Sequence, residues 1–94
     1  QAASMVEKAK AQGVPVISYD RLINSGKLDL YISHQVPVIG RKIAEYALEK
    51  VPQGNYVMVY GASTDNNAVI MRKEQLDVLK PAIDSQKIKI VADN

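Results

Sequence analysis

Apolar residues follow two alternating periods along the chain, and this alternation most limits the folds open to it. Runs at three- and four-residue spacing predict helices, and short β-branched runs predict strands. The predicted helices are 2–9, 37–50 and 66–79, and the predicted strands are 14–18, 30–33, 56–60 and 87–92. Such alternation favours an α/β fold in which parallel sheets are flanked by helices.

The first two predicted strands break the alternation, because no helix is predicted between them. Residues 19–28 include Asn24, Ser25 and Gly26 and are predicted to form a turn-rich loop. Neighbouring parallel strands usually need a helical crossover of about a dozen residues or more. Two arrangements stay open. The strands belong to different sheets, with the chain passing between two lobes near 31–35, or they share one sheet through an irregular crossover.

The composition excludes several classes of protein. The 94 residues contain no cysteine, which excludes disulfide frameworks, thiolate metal sites and thiol nucleophiles. The formal net charge of +2 is not concentrated in a basic stripe, so nucleic acid is not an expected partner. His34 is the single histidine, and the pattern brings it no partners for a triad or a metal site. We therefore expect a protein that is not an enzyme and has no metal and no cofactor.

Two polar clusters follow predicted strands, where α/β proteins bind ligands. Asp20 and Arg21 come after the first strand, and Asp65 and Asn67 lie between the third strand and its helix. Carboxylates, a guanidinium and an amide suit a neutral polyhydroxylated ligand, because each sugar hydroxyl both donates and accepts. The alternatives are that Asp20 and Arg21 form a local ion pair and that Asp65 or Asn66 only caps the helix.

Seven short segments stand in order along the chain: VPVISYDR (14–21), LIN (22–24), DLYIS (29–33), VPQGNY (51–56), DNNA (65–68), VLKP (78–81) and KIKIV (87–91). In this order and register they resemble the periplasmic xylose-binding proteins over essentially the whole chain. The resemblance implies part of a bilobal periplasmic-binding-protein fold. Residues 1–30 would end the first lobe, residues 31–36 would form a hinge crossing, and residues 37–94 would begin the second lobe.

The resemblance also implies a function. D-xylose or a related pentose would bind in a hinged cleft, with Asp20 and Arg21 contacting it from the first lobe and Asp65 and Asn67 from the second. The protein would be periplasmic or extracytoplasmic, with a lipid-anchored parent as one form, and would serve the membrane permease of an ABC importer. Alternatives are a sensor module that signals to a membrane histidine kinase, the effector domain of a sugar-responsive repressor, and an engineered α/β fragment without a ligand.

Two features of the sequence qualify this expectation. The chain opens inside a predicted helix, which predicts a piece of a longer protein that needs the remainder of the fold, or a second chain, to bind sugar well. The family commonly has an aromatic residue followed by Asp-Asn where His34, Gln35, Val36 and Pro37 stand here. Because Val36 is a poor N-cap, we expect the start of the next helix to be satisfied in another way and the hinge to differ.

Overall fold

The structure is a computed structural model that describes residues 2–94. The described residues form seven elements, which agree in type and order with those predicted: α1 (Ala2–Ala11), β1 (Ile17–Tyr19), β2 (Leu30–Ile32), α2 (Val36–Lys50), β3 (Gly54–Met58), α3 (Asn66–Asp84) and β4 (Ile88–Asp93). They fall into two compact units. The first ends at His34 and the second runs from Gln35 to Asn94. The predicted boundaries at 30, 36 and 37 remain a prediction about lobes.

In the first unit, β1 and β2 pair in parallel within one sheet, with Ile17 opposite Leu30 and Tyr19 opposite Ile32. The arrangement with these strands in different sheets is therefore wrong, and the irregular crossover is correct. The crossover needs no helix, because Asp29 at its end is hydrogen-bonded to Val16, the residue before β1. The backbone N–H of Asp29 donates to the Val16 carbonyl (3.0 Å), and the Asp29 carboxylate accepts from the Val16 N–H (2.7 Å).

A left-handed glycine, Gly13, follows the end of helix α1, as the sequence predicts. Gly13 has φ 71°, and its N–H donates to the Lys10 carbonyl (3.0 Å) while the Val14 N–H donates to the Ala9 carbonyl (3.0 Å). These bonds satisfy carbonyls that a helix end leaves without partners. Val14 is thereby used to cap α1, which explains why β1 begins at Ile17 rather than at residue 14.

The second unit pairs β3 with β4 in parallel, with a register irregularity between Tyr56 and Val57. Its core cluster consists of one buried side chain from each of its four elements: Ala44, Met58, Leu79 and Ile88. Strand β3 begins at Gly54, two residues before the predicted start, because the Gly54 N–H already donates to the Lys87 carbonyl (3.0 Å).

The start of α2 and the end of α3 differ from the simplest expectation. Helix α2 starts at Val36, after Gln35, whose side chain makes no capping bond; the Gln35 carbonyl accepts from the Ile39 N–H (3.1 Å), and Pro37 has no N–H to satisfy. Helix α3 continues through Pro81 to Asp84, so its predicted end near Pro81 is wrong. Ala82 packs against the core beyond the proline, and this packing offsets the missing hydrogen bond.

Within residues 2–94, no helix has both the length and the hydropathy needed to cross a bilayer. The same residues contain no group of three or more potential metal-ligating side chains.

Candidate functional site

Asp20 and Arg21 directly follow β1, at the carboxyl ends of the parallel strands β1 and β2. Asp20 lines an open cavity of about 420 Å³ there. The other residues that line it are Tyr19, Ile32, Ser33 and His34. This is the position at which parallel sheets bind ligands, because irregular loops leave the strand ends there.

Asp20 adopts a left-handed backbone conformation, with φ 66°. This region is uncommon for residues other than glycine, and aspartate is one of the few that tolerate it. Three hydrogen bonds hold the residue to β2 and its end. The Asp20 N–H donates to the Ile32 carbonyl (2.8 Å), and the Asp20 carbonyl accepts from the Tyr31 hydroxyl (3.2 Å) and the Ser33 hydroxyl (2.9 Å). The main chain of Asp20 is therefore fixed, while its carboxylate is exposed to solvent.

Arg21 is held from the other side by a buried serine. The Arg21 N–H donates to the Tyr19 carbonyl (2.8 Å), and its carbonyl accepts from the Ser18 hydroxyl (2.6 Å). The same hydroxyl accepts from the Ile23 N–H (3.2 Å). Ser18 is only 2% exposed, so its hydroxyl holds the Arg21 main chain from inside the unit. The Arg21 side chain is exposed.

In the second unit, Asp65 caps helix α3. Its carboxylate oxygen Oδ1 accepts from the Asn67 N–H (2.9 Å), and its carbonyl accepts from the Val69 N–H (3.1 Å). The capping alternative is therefore present at Asp65, whereas Asn66 is the first helical residue. Asn67 is half-buried in the first turn. The cap places Asp65 and Asn67 together, at the amino end of the helix that follows β3.

A second cavity, of about 620 Å³, lies within the same unit near the ends of β3 and β4. Three of its residues form a cluster that the sequence analysis did not identify. The Arg72 guanidinium lies 4.9 Å from the centre of the Tyr60 ring and pairs with the Asp93 carboxylate at 2.7 Å. Burial, and then the charge of Asp93, raises the pKa of the Tyr60 hydroxyl, although Arg72 opposes this. Tyr60 comes shortly after β3, and Asp93 is the last residue of β4. This position at a strand end is the one sequence signal that could have indicated these two residues.

The structure divides the four predicted site residues between the two units. Asp20 and Arg21 belong to the first unit, and Asp65 and Asn67 belong to the second. That all four contact one ligand remains a prediction.

Parallel strands flanked by helices, with polar residues at the strand ends, define an α/β fold of a ligand-binding kind. The model of the periplasmic binding protein domain family matches residues 1–94. The chain belongs to this family.

Among curated proteins, the chain is similar to the D-xylose-binding periplasmic protein of Escherichia coli (strain K12). The two are 44% identical over 91 residues, which are 97% of this chain and 28% of that protein. The chain therefore spans less than a third of the length of this relative.

Two solved structures are similar to the chain in fold and in sequence. One is a carbohydrate-transporter solute-binding protein from Chloroflexus aurantiacus in complex with D-glucose, with TM-score 0.85, 34% identity, and coverage of 95% of this chain and 27% of that one. Another is the fructose-binding periplasmic domain of a hybrid two-component system, with TM-score 0.80, 29% identity, and coverage of 95% and 29%.

These similarities confirm the predicted resemblance and the predicted fold class, part of a bilobal α/β fold with parallel sheets. The family and these relatives are binding proteins, which also confirms the prediction that the chain is not an enzyme. Their names place them in the periplasm or in sugar transport, in agreement with the predicted location.

Proposed function

We propose that this chain contributes to a periplasmic receptor that binds D-xylose or a related pentose as the solute-binding component of an ABC importer. The observation that carries the proposal is the cavity at the carboxyl ends of β1 and β2, which Asp20 lines beside a rigidly held turn. The similarity to a D-xylose-binding protein supports the choice of sugar.

The chemistry of the turn suits a neutral sugar. A carboxylate accepts hydrogen bonds from two neighbouring hydroxyls, and a guanidinium donates to hydroxyl oxygens through a planar fork. Hydrogen bonds to charged groups contribute about 1.5–3 kcal/mol each. Asp20 lines the cavity, Arg21 follows it directly and is exposed, and both side chains are proposed to contact one ligand.

The proposed mechanism is closure of two lobes over the sugar. Only contacts that are stronger in the closed state favour closure, so the second lobe must supply its own, and Asp65 and Asn67 are the proposed residues. Residues 1–30, 31–36 and 37–94 are proposed as the end of the first lobe, the hinge crossing and the start of the second lobe. The rest of both lobes comes from further chain or from a second chain.

The experiment is isothermal titration calorimetry on the complete polypeptide that carries these residues, with D-xylose, D-ribose, L-arabinose and D-glucose. Arg21→Ala should weaken binding by about tenfold or more, because it removes a charged donor from the ligand. Lys27→Ala is the matched control, since Lys27 lies in the same loop and pairs with Glu7, so the same unit of charge is lost away from the strand ends. Equal affinities of the two variants would refute the role of Arg21.

A sensor function is the second candidate, favoured by the similarity to a periplasmic domain of a two-component system. Deletion of the gene separates the two. Loss of radiolabelled xylose uptake supports the importer component, whereas loss of xylose-induced gene expression with normal uptake supports the sensor.

A further inference from the structure

Two serines, one in β1 and one just after β2, support the carbonyls of the proposed sugar-binding turn. The Ser33 hydroxyl, just after β2, donates to the Asp20 carbonyl at 2.9 Å. The Ser18 hydroxyl, in the middle of β1, donates to the Arg21 carbonyl at 2.6 Å. Two successive peptide groups of one turn are thus fixed by side chains from β1 and from the residue that follows β2.

The turn needs such support because of its conformation and its exposure. Asp20 is left-handed, with φ 66°, and both Asp20 and Arg21 are exposed. A strained residue persists only where its surroundings hold it in place. Without the serine bonds, the turn could relax into other backbone conformations, and its two side chains would then point in other directions.

Ser18 also links the turn to the loop that follows. Its hydroxyl accepts from the Ile23 N–H at 3.2 Å while it donates to Arg21, so one oxygen bridges both sides of the Arg21–Ile23 segment. At 2% exposure, Ser18 is shielded from solvent, and a sugar in the cavity is not expected to touch it. Any effect of Ser18 on sugar binding must therefore pass through the turn.

We propose that Ser18 and Ser33 are positioning residues for sugar binding, which hold Asp20 and Arg21 in the binding conformation before the ligand arrives. This inference rests on the proposed function. A preformed turn binds more tightly because the ligand does not have to select a minor conformation. Neither serine needs to contact the sugar for this effect.

The test measures D-xylose affinity by calorimetry for Ser18→Ala and Ser33→Ala in the complete polypeptide. Each variant should bind about fivefold more weakly, the loss expected for one hydrogen bond. Ser25→Ala is the matched control, because Ser25 lies in the same loop and its hydroxyl accepts from the Lys27 N–H at a long 3.4 Å. Ser33→Thr, which keeps the hydroxyl, should restore affinity to within about twofold.

A double-variant cycle separates positioning from general destabilisation. If Ser18 acts through the turn, Ser18→Ala combined with Arg21→Ala should weaken binding by less than the product of the two separate losses. A full product would overturn the inference. Should Ser18→Ala fail to fold, the same cycle is measured with the half-exposed Ser33 and Asp20, whose carbonyl accepts from the Ser33 hydroxyl.

The outcomes for the inference and for the function are distinct. A wild-type protein that binds none of the four sugars overturns the proposed function, and the positioning role with it. A wild-type protein that binds one of them, while Ser18→Ala and Ser33→Ala bind it equally well, overturns only the role of the serines.

Discussion

Gly40 allows α2 and α3 to pack closely, and its replacement by alanine should destabilise the second unit. A Cβ atom at this position would lie 2.9 Å from the Met71 carbonyl oxygen, 3.1 Å from the Met71 Cα and 3.1 Å from the Glu74 Cβ. Two of these three atoms belong to the backbone of α3, so no side-chain rotation removes the overlap. The two helices must move apart to admit the methyl group.

The expected magnitude is the difference between two opposing effects. Alanine in place of glycine inside a helix gains about 1 kcal/mol from helix propensity. Overpacking in a tight interface costs about 1–3 kcal/mol. Two of the three contacts are with backbone atoms, and Ala44, one turn further along α2, is buried in the adjoining core. The steric cost should therefore be near the upper end of this range. We expect Gly40→Ala to lower the free energy of unfolding by about 1–2 kcal/mol.

The assay is urea unfolding of the complete polypeptide followed by circular dichroism, with the free energy extrapolated to water. Gly26→Ala is the matched control, since an added Cβ at Gly26 meets no atom within 4 Å. Its stability should be unchanged or higher by about 0.4–1 kcal/mol, through the reduced entropy of the unfolded chain. A Gly40→Ala protein that is as stable as the wild type would refute the close contact between the helices.

Two further predictions concern carboxylates. Asp65→Ala should lower the free energy of unfolding by about 1 kcal/mol, because it removes the bond to the Asn67 N–H at the start of α3. Asp65→Ser should recover most of this loss in the same urea assay. An alanine variant as stable as the wild type would contradict the capping role of Asp65. The Lys10 ammonium first, and then the Val16 N–H, lower the pKa of Asp29 below its ordinary 3.8, so its stabilising contribution is present above about pH 3.8 and is lost as the pH falls through the lowered pKa. Asp29→Asn should therefore reduce the fall in urea midpoint between about pH 4 and pH 2, and an identical fall in both proteins would contradict this.

The types and order of the elements follow from periodicity, because each helix or strand must bury one apolar face. Their boundaries depend on contacts that the periodicity does not encode. Helix α3 passes Pro81 because Ala82 packs against a core formed by distant residues, and β1 is shortened because Val14 caps α1. Tertiary contacts thus override the local signals at these ends.

The site was predictable only in part, for a related reason. Asp20, Arg21, Asp65 and Asn67 stand out because charged or amide side chains follow strands. Ser18 and Ser33 donate to main-chain carbonyls, and a serine in or just after a strand carries no sequence pattern that identifies such a bond. The pair of Arg72 and Asp93 spans a crossover of the chain, so it becomes visible only when α3 and β4 are placed.

The hydrogen bonds between Asp29 and Val16 have a practical consequence for protein engineering. They fix the end of the crossover beside β1, while Ser18 fixes its start at Arg21 and Ile23. Residues 24–26 lie between these anchors, and lengthening a loop costs little entropy when both of its ends stay in place. A reporter peptide or a fluorescent protein inserted there would be attached close to the proposed sugar-binding turn, so that a change in the turn on ligand binding would become readable by light.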